Sequence, residues 1–183
     1  MKTALVVLDM LNDFVDGTLA NEAAKPIIGN IHQLAEAARN RDDWVVIYAN
    51  DAHKDNDFEF AVFGEHALAG STGAEVVSEL TPEAGDFVVP KRFYSAFTET
   101  DLDATCRVHN IGSFVVVGQH TNCCCRHTTY DAFARGIAVA VVSDATCVFA
   151  PMVGERYDEV QSESLEYLST FYNSRVLETS ELL

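Results

Sequence analysis

The sequence predicts an α/β fold, a single-domain three-layer sandwich built around a six-stranded, mostly parallel sheet. Three observations predict it. Short runs rich in β-branched residues recur along the chain and are apolar without alternation, as strands are when helices cover both faces of a parallel sheet. Segments with helical apolar spacing lie between those runs, and strand alternating with helix builds right-handed crossovers. With 183 residues, 48% of them apolar, the chain has the size of one compact domain, and no repeat, low-complexity tract or linker divides it.

The first strand is Thr3-Ala4-Leu5-Val6-Val7-Leu8, ending in Asp9. Ile27, Ile28, Ile31, Leu34, Ala35 and Ala38 then recur at helical spacing. Trp44 to Ala49 reads as the second strand and ends in Asn50-Asp51, and Phe87-Val88-Val89 reads as the third. Between them, Asp51 to Thr81 is the longest stretch outside the strand and helix rhythm, which marks it as a functional loop. Asp101 to His109 carries Leu102, Thr105 and Val108 on a shorter helix. The fourth strand, Phe114 to Val117, ends in Gly118. After it come three adjacent cysteines, Cys123, Cys124 and Cys125, and a helix from Arg126 to Arg135 closed by Gly136, where a C-terminus favours glycine. Ala138 to Val142 is the fifth strand. A helix from Glu155 to Tyr172, with Val160, Leu165, Leu168 and Phe171 on its apolar side, precedes the weaker sixth, Arg175-Val176-Leu177.

A formal net charge of −16 excludes nucleic acid and anionic membranes as natural partners, because both would be repelled. Lysine occurs only at positions 2, 25, 54 and 91, a composition that fits a high-salt habitat as well as an acidic mesophilic cytosol. No segment approaches the roughly 20 apolar residues of a membrane span, and Thr3 to Val7 lacks the length of a signal peptide. Five cysteines, an odd number with three adjacent, do not form a disulfide framework. A soluble cytoplasmic protein is expected.

In open α/β sheets, reactive groups gather beyond the carboxyl ends of the strands. That rule collects Asp9, the pair Asp51 and His53, Lys91 and the cysteine cluster from distant stretches of sequence. A thiol at a helix start is expected to have a lowered pKa, because backbone N–H groups and the helix dipole favour the thiolate. A carboxylate that accepts its proton and an ammonium that holds the carboxylate would complete a nucleophilic site. Cys106 and Cys147 lack a reactive context. The three adjacent thiols are too close in sequence to share one metal ion, since ligand pairs are normally separated by two or more residues.

These residues carry a family resemblance. Leu8-Asp9-Met10-Leu11-Asn12-Asp13-Phe14 resembles the opening motif of the isochorismatase-like cysteine hydrolases, the superfamily that includes nicotinamidases. Val89-Pro90-Lys91-Arg92-Phe93-Tyr94-Ser95-Ala96-Phe97 resembles its lysine motif, and Gly118-Gln119-His120-Thr121-Asn122-Cys123-Cys124 its nucleophile motif, continued by Arg126, Thr128, Asp131 and Ala132. The resemblance implies a Rossmann-like strand order, with Asp9 as proton acceptor, Lys91 as its electrostatic partner and Cys124 as nucleophile. It also implies an oxyanion hole from the backbone N–H groups of His120 and Cys124, a cis peptide between Gln119 and His120, and a homo-oligomer. Successive helix residues point about 100° apart, so Cys123 and Cys125 are expected to pack rather than react.

Phe14, Tyr94 and Phe97 are candidates to line a flat substrate pocket, although aromatic residues near strand ends are core residues as often. The loop Asn50 to Asp57, followed by His66, offers nitrogen and oxygen ligands suited to zinc, manganese or iron. By resemblance to nicotinamidases, whose metal binds the substrate's pyridine nitrogen, Asp51, His53 and His66 would be ligands, with Asp57 standing where a further histidine is usual and Ala52 replacing a common tryptophan. The expected function is thioester-dependent hydrolysis of a small amide, nicotinamide-like with a divalent metal, zinc in the first place, and no organic cofactor. A metal-independent carbamoyl or ureido amidase, a non-catalytic binding member of the fold and a thiol redox protein are the alternatives.

Overall fold

The computed structural model describes residues 1–183. Six strands form one sheet: β1 (Lys2–Leu8), β2 (Trp44–Asp51), β3 (Phe87–Lys91), β4 (Ile111–Gln119), β5 (Ala138–Cys147) and β6 (Arg175–Leu177). Their spatial order is β3-β2-β1-β4-β5-β6, and every pairing is parallel, so the sheet is wholly rather than mostly parallel. The principal helices are α1 (Ile28–Arg39), α2 (Leu102–Val108), α3 (Arg126–Ala134) and α4 (Tyr157–Tyr172), each close to its predicted place. β5 runs five residues past the predicted Val142, because after a register shift Thr146 and Cys147 pair with Gly118 and Gln119 at the end of β4.

The absence of alternation in the strands has the cause the sequence suggested. Leu5 and Val7, Val46 and Tyr48, Val115 and Val117 point to one face, where they pack with Ile31, Leu34 and Ala38 of α1. Ala4, Val6 and Leu8, Ile47 and Ala49, Phe114 and Val116 point to the other, against Leu102 and Cys106 of α2, Ala132 of α3 and Leu168 of α4. Each fully buried large aliphatic side chain contributes about 1.5–3 kcal/mol relative to exposure.

The strand order reverses between β1 and β4, and this opens a crevice at their carboxyl ends. Gly118 makes the close approach possible there. Its φ of +102° lies in the left-handed region, and a Cβ would run into the backbone of Leu8 on β1.

Candidate active site and metal centre

β1 ends in Asp9, whose backbone turns to φ 53° immediately after the strand. The Asp9 N–H donates to Asn50 Oδ1 at 2.9 Å, and Asp9 Oδ1 accepts from the Asp51 N–H at 2.8 Å, so the end of β2 orients this carboxylate. β3 carries Lys91, which is fully buried. Lys91 Nζ stands 2.8 Å from Asp9 Oδ2, 2.5 Å from Asp51 Oδ1 and 3.6 Å from Cys124 Sγ. Beyond β4 the Gln119–His120 peptide is cis, and Thr121–Cys125 form a π-helical turn ahead of α3. The N–H groups of Cys123 and Cys125 both donate to the His120 carbonyl, at 2.9 and 3.2 Å. The Cys124 N–H is not engaged by that carbonyl. The predicted carboxylate, ammonium and thiol thus meet at one end of the sheet, with Asp9 and Cys124 lining a cavity and Lys91 buried behind them.

The charges explain how the thiol is kept. Burial pushes Asp9 up to about 6, with Asp51 adding to the shift and Lys91 opposing it. Burial works against the charge on Lys91, yet Asp51 and Asp9 hold its pKa well above the ordinary value. For Cys124 the structure corrects the sequence reading: a hydrogen bond with Cys123, followed by burial, raises its pKa well above that of a free thiol. Cys124 lies in the π-helical turn rather than at the first turn of a regular α-helix, and the Asp9 carboxylate adds to the upward shift while Lys91 opposes it. The raised pKa favours the protonated thiol. Asp9 Oδ2 is within ion-pair distance of Lys91 but has no aligned donor, which leaves a lone pair open to that proton.

Three of the four predicted metal-ligand candidates lie together, joined by a carboxylate the sequence reading did not name. Asp51, His53, Glu59 and His66 each present one donor atom, and these atoms all lie within 4.8 Å of one another. Asp57 is not among them. Its carboxylate is bound by the Arg92 guanidinium, by the Lys54 N–H at 3.0 Å and by His53 Nδ1 at 3.0 Å, and the Arg92 hydrogen bonds hold its pKa far below the usual range. Glu59 takes its place, 3.9 Å from His53 Nε2 and 3.8 Å from His66 Nε2. Loop spacing could not favour position 59 over 57, because the short helix Phe60–Phe63 turns the chain between them and His66.

A divalent ion fits this donor set. His53 Nδ1–H donates to Asp57 and His66 Nδ1–H to the Gly64 carbonyl at 2.8 Å, so each ring is oriented by its outer nitrogen. Both Nε2 atoms are buried without a hydrogen-bond partner. Three buried or half-buried carboxylates, Asp9, Asp51 and Glu59, also face a single ammonium, and burial together with Asp51 pushes Glu59 up to about 7. Two imidazoles and two carboxylates suit zinc, manganese or iron.

Over the thiol, five rings form a closed collar. Phe14 contacts His66 (centroids 5.4 Å apart), His66 contacts Phe63 (6.2 Å), Phe63 contacts Phe149 (6.4 Å), Phe149 contacts His120 (4.9 Å), and His120 returns to Phe14 (5.8 Å). All five line the cavity, together with Asp9, Leu19, Asp51, Glu59, Cys123 and Cys124. Of the predicted pocket aromatics, only Phe14 lines it. Phe97 is buried in the core, stacked on Phe114 at 5.8 Å with the Arg135 guanidinium also over its ring, because it lies on the face of the sheet that α2, α3 and α4 cover. Tyr94 lines an adjoining groove of about 540 Å³ with Phe58, Glu59, Val62 and Tyr130, and its ring rests against His127. That larger groove holds no cysteine. Cys123, expected to pack, lines the cavity instead, since the wider π-turn separates successive side chains less than an α-helix would. Phe63, Phe149 and the His120 side chain were not legible, because their contacts to the cavity are tertiary.

A thiol, a carboxylate and an ammonium gathered at the strand ends of a parallel sheet are the groups a hydrolytic α/β enzyme uses. The chain belongs to the isochorismatase family, whose Isochorismatase domain model matches residues 3–176, and it is an amidohydrolase of that family. It is 30% identical over 198 residues to the ureidoacrylate amidohydrolase RutB of Serratia proteamaculans, covering 93% of this chain and 77% of that protein. The solved N-carbamoylsarcosine amidase of Thermoplasma acidophilum is 35% identical with a TM-score of 0.87, covering 98% of this chain and 97% of the other. The nicotinamidase/pyrazinamidase PncA of Bacillus subtilis is 29% identical with a TM-score of 0.87, covering 97% of this chain and all of the other.

Proposed function

We propose that the protein hydrolyses a small, flat heteroaromatic carboxamide of the nicotinamide type, releasing ammonia and the acid through a Cys124 thioester. The observation that carries this reading is the closed aromatic collar above the thiol, in a cavity that no arginine or lysine side chain lines. Carbamoyl and ureido acids carry a carboxylate. Without a metal it would meet Asp9, Asp51 and Glu59 in this cavity, where the one nearby ammonium, Lys91, is already paired with Asp9 and Asp51, and an unpaired buried charge is costly. Similarity to N-carbamoylsarcosine amidase and ureidoacrylate amidohydrolase keeps that branch as the second reading.

In the proposed reaction, Asp9 takes the Cys124 proton as sulfur attacks the amide carbonyl, and Lys91 remains charged beside both. The His120 and Cys124 N–H groups hold the oxyanion; one such donor can lower a barrier by about 3 kcal/mol. Asp9 returns the proton to the departing nitrogen, which leaves as ammonia. It then takes a proton from water as the water attacks the thioester, and returns it to sulfur as the acid forms. Asp51, His53, Glu59 and His66 would hold a divalent metal, zinc in the first place, which would supply a Lewis-acid contact for a heteroatom of the substrate ring. Phe14, with the rest of the collar, would hold that ring flat over the thiol.

The test is ammonia release from nicotinamide, pyrazinamide, benzamide and N-carbamoylsarcosine, before and after chelation. Turnover of the two heteroaromatic amides, with a KM that rises on chelation and recovers with zinc, is expected. Turnover confined to the carbamoyl compound would replace the aromatic reading, and nicotinamide turnover indifferent to complete metal removal would overturn the metal assignment.

A further inference from the structure

The collar has two polar positions. One is His66, whose Nε2 turns towards the other metal-ligand candidates; the second is His120, whose Nε2 is buried and has no hydrogen-bond partner. Around the ring of contacts, Phe14 separates the two imidazoles on one side, and Phe63 with Phe149 separates them on the other. His120 is held from both sides by Phe14 and Phe149, and its own peptide is the cis link that follows β4. The side chain is therefore fixed relative to the nucleophile two turn residues and one cysteine further on. A buried polar atom without a partner is unfavourable unless something that enters the cavity satisfies it. The cavity-lining side chains nearest to His120 in the collar are phenylalanines, which offer no hydrogen bond.

We infer that the His120 side chain is a specificity-determining residue, with Nε2 hydrogen-bonding an atom of the substrate ring other than the one directed at His66. The inference rests on the aromatic-amide reading and deepens it: the preferred ring carries two polar positions, one for the metal that His66 helps to hold and one for His120. A neutral imidazole can serve a ring nitrogen as donor or an amino substituent as acceptor, according to tautomer.

The experiment uses the full-length, zinc-supplemented protein and its His120→Phe and His120→Asn variants. The substrates are nicotinamide, the pyrazine, pyridazine and pyrimidine carboxamides that keep its ring nitrogen and add a second one, and an amino-substituted nicotinamide. The readout is the ratio of KM values within each protein, so that a general loss of stability or of catalytic power cancels. In the wild type, at least one doubly polar ring is expected to have a KM about tenfold below that of nicotinamide, the worth of about one neutral hydrogen bond. His120→Phe, which retains an aromatic ring, should bring that ratio near one, and His120→Asn should restore part of it. A preference that survives in His120→Phe, a wild type with no preference, or equal losses for every amide would overturn the inference and leave His120 a packing residue. A wild type that releases ammonia from none of these rings would instead overturn the aromatic-amide reading, and the inference with it.

Discussion

Asp57 and Glu59 stand two residues apart and have opposite roles. Asp57 is neutralised by Arg92 and orients His53 from behind, whereas Glu59 turns its carboxylate towards the open Nε2 atoms of His53 and His66. Asp57→Asn is expected to weaken zinc binding about 10- to 100-fold, the usual effect of removing a group that orients a ligand. Glu59→Ala should weaken it further; calorimetric titration of the chelated protein with zinc orders the two, and equal affinities in Glu59→Ala and wild type would remove Glu59 from the ligand set. The three cysteines also separate at this scale. Cys124→Ser should abolish the thioester seen by mass spectrometry, while Cys123→Ser keeps it, and Cys125→Ser, in a fully buried apolar position, loses stability rather than chemistry. Asp9 can accept a proton only when ionised. Because burial and Asp51 place its pKa at about 6, kcat/KM should be level above pH 6 and fall about tenfold per pH unit below it. An acid limb near pH 4, the ordinary carboxylate value, would contradict that role.

Between β4 and α3, a single stretch sets the site: Gly118 with a left-handed backbone, a cis peptide, and the π-turn that carries Cys124. Beneath it lies a buried amide pair. Gln119 Nε2 donates to the Asp9 carbonyl at 3.1 Å, and Gln119 Oε1 accepts from Asn21 Nδ2 at 3.0 Å, which in turn donates to the Val148 carbonyl at 3.0 Å. These bonds tie the end of β1 to the segment that delivers Phe149. Gln119→Leu would leave several buried polar groups unpaired, at about 1–3 kcal/mol for each unsatisfied group. Urea denaturation should show that loss, and a midpoint equal to wild type would mean that the network is not structural. Gly118→Ala should cost more than about 1 kcal/mol in the same measurement, from the left-handed φ and the contact with Leu8.

Across the whole molecule, two surface properties set its company. The formal charge of −16 repels polyanions. A band of exposed apolar residues, including Phe58 (95% exposed), Val62 (63%), Tyr130 (50%) and Phe133 (45%), runs from the groove beside the cavity along α3. Exposed apolar residues of this kind favour association, and we propose a homo-oligomer. Light scattering checks this: a dimeric or larger mass that falls to the monomer in Tyr130→Glu is the expected outcome, and a monomeric wild type would exclude it. No helix is long and apolar enough to cross a membrane.

The strands, the crossover helices, and Asp9, Lys91 and Cys124 at the strand ends were legible because local patterning and strand-end position are properties of consecutive residues. Periodicity reports which faces are buried, and a parallel sheet then aligns every strand end on one rim. Tertiary structure alone decided that Glu59 and not Asp57 faces the Nε2 atoms of the histidines, that Phe97 belongs to the core, that Phe63, Phe149 and His120 close the collar, and that Cys123 and burial raise the pKa of Cys124. Each of those depends on which groups from remote stretches surround a side chain, and so on burial and Coulomb fields that no local pattern contains.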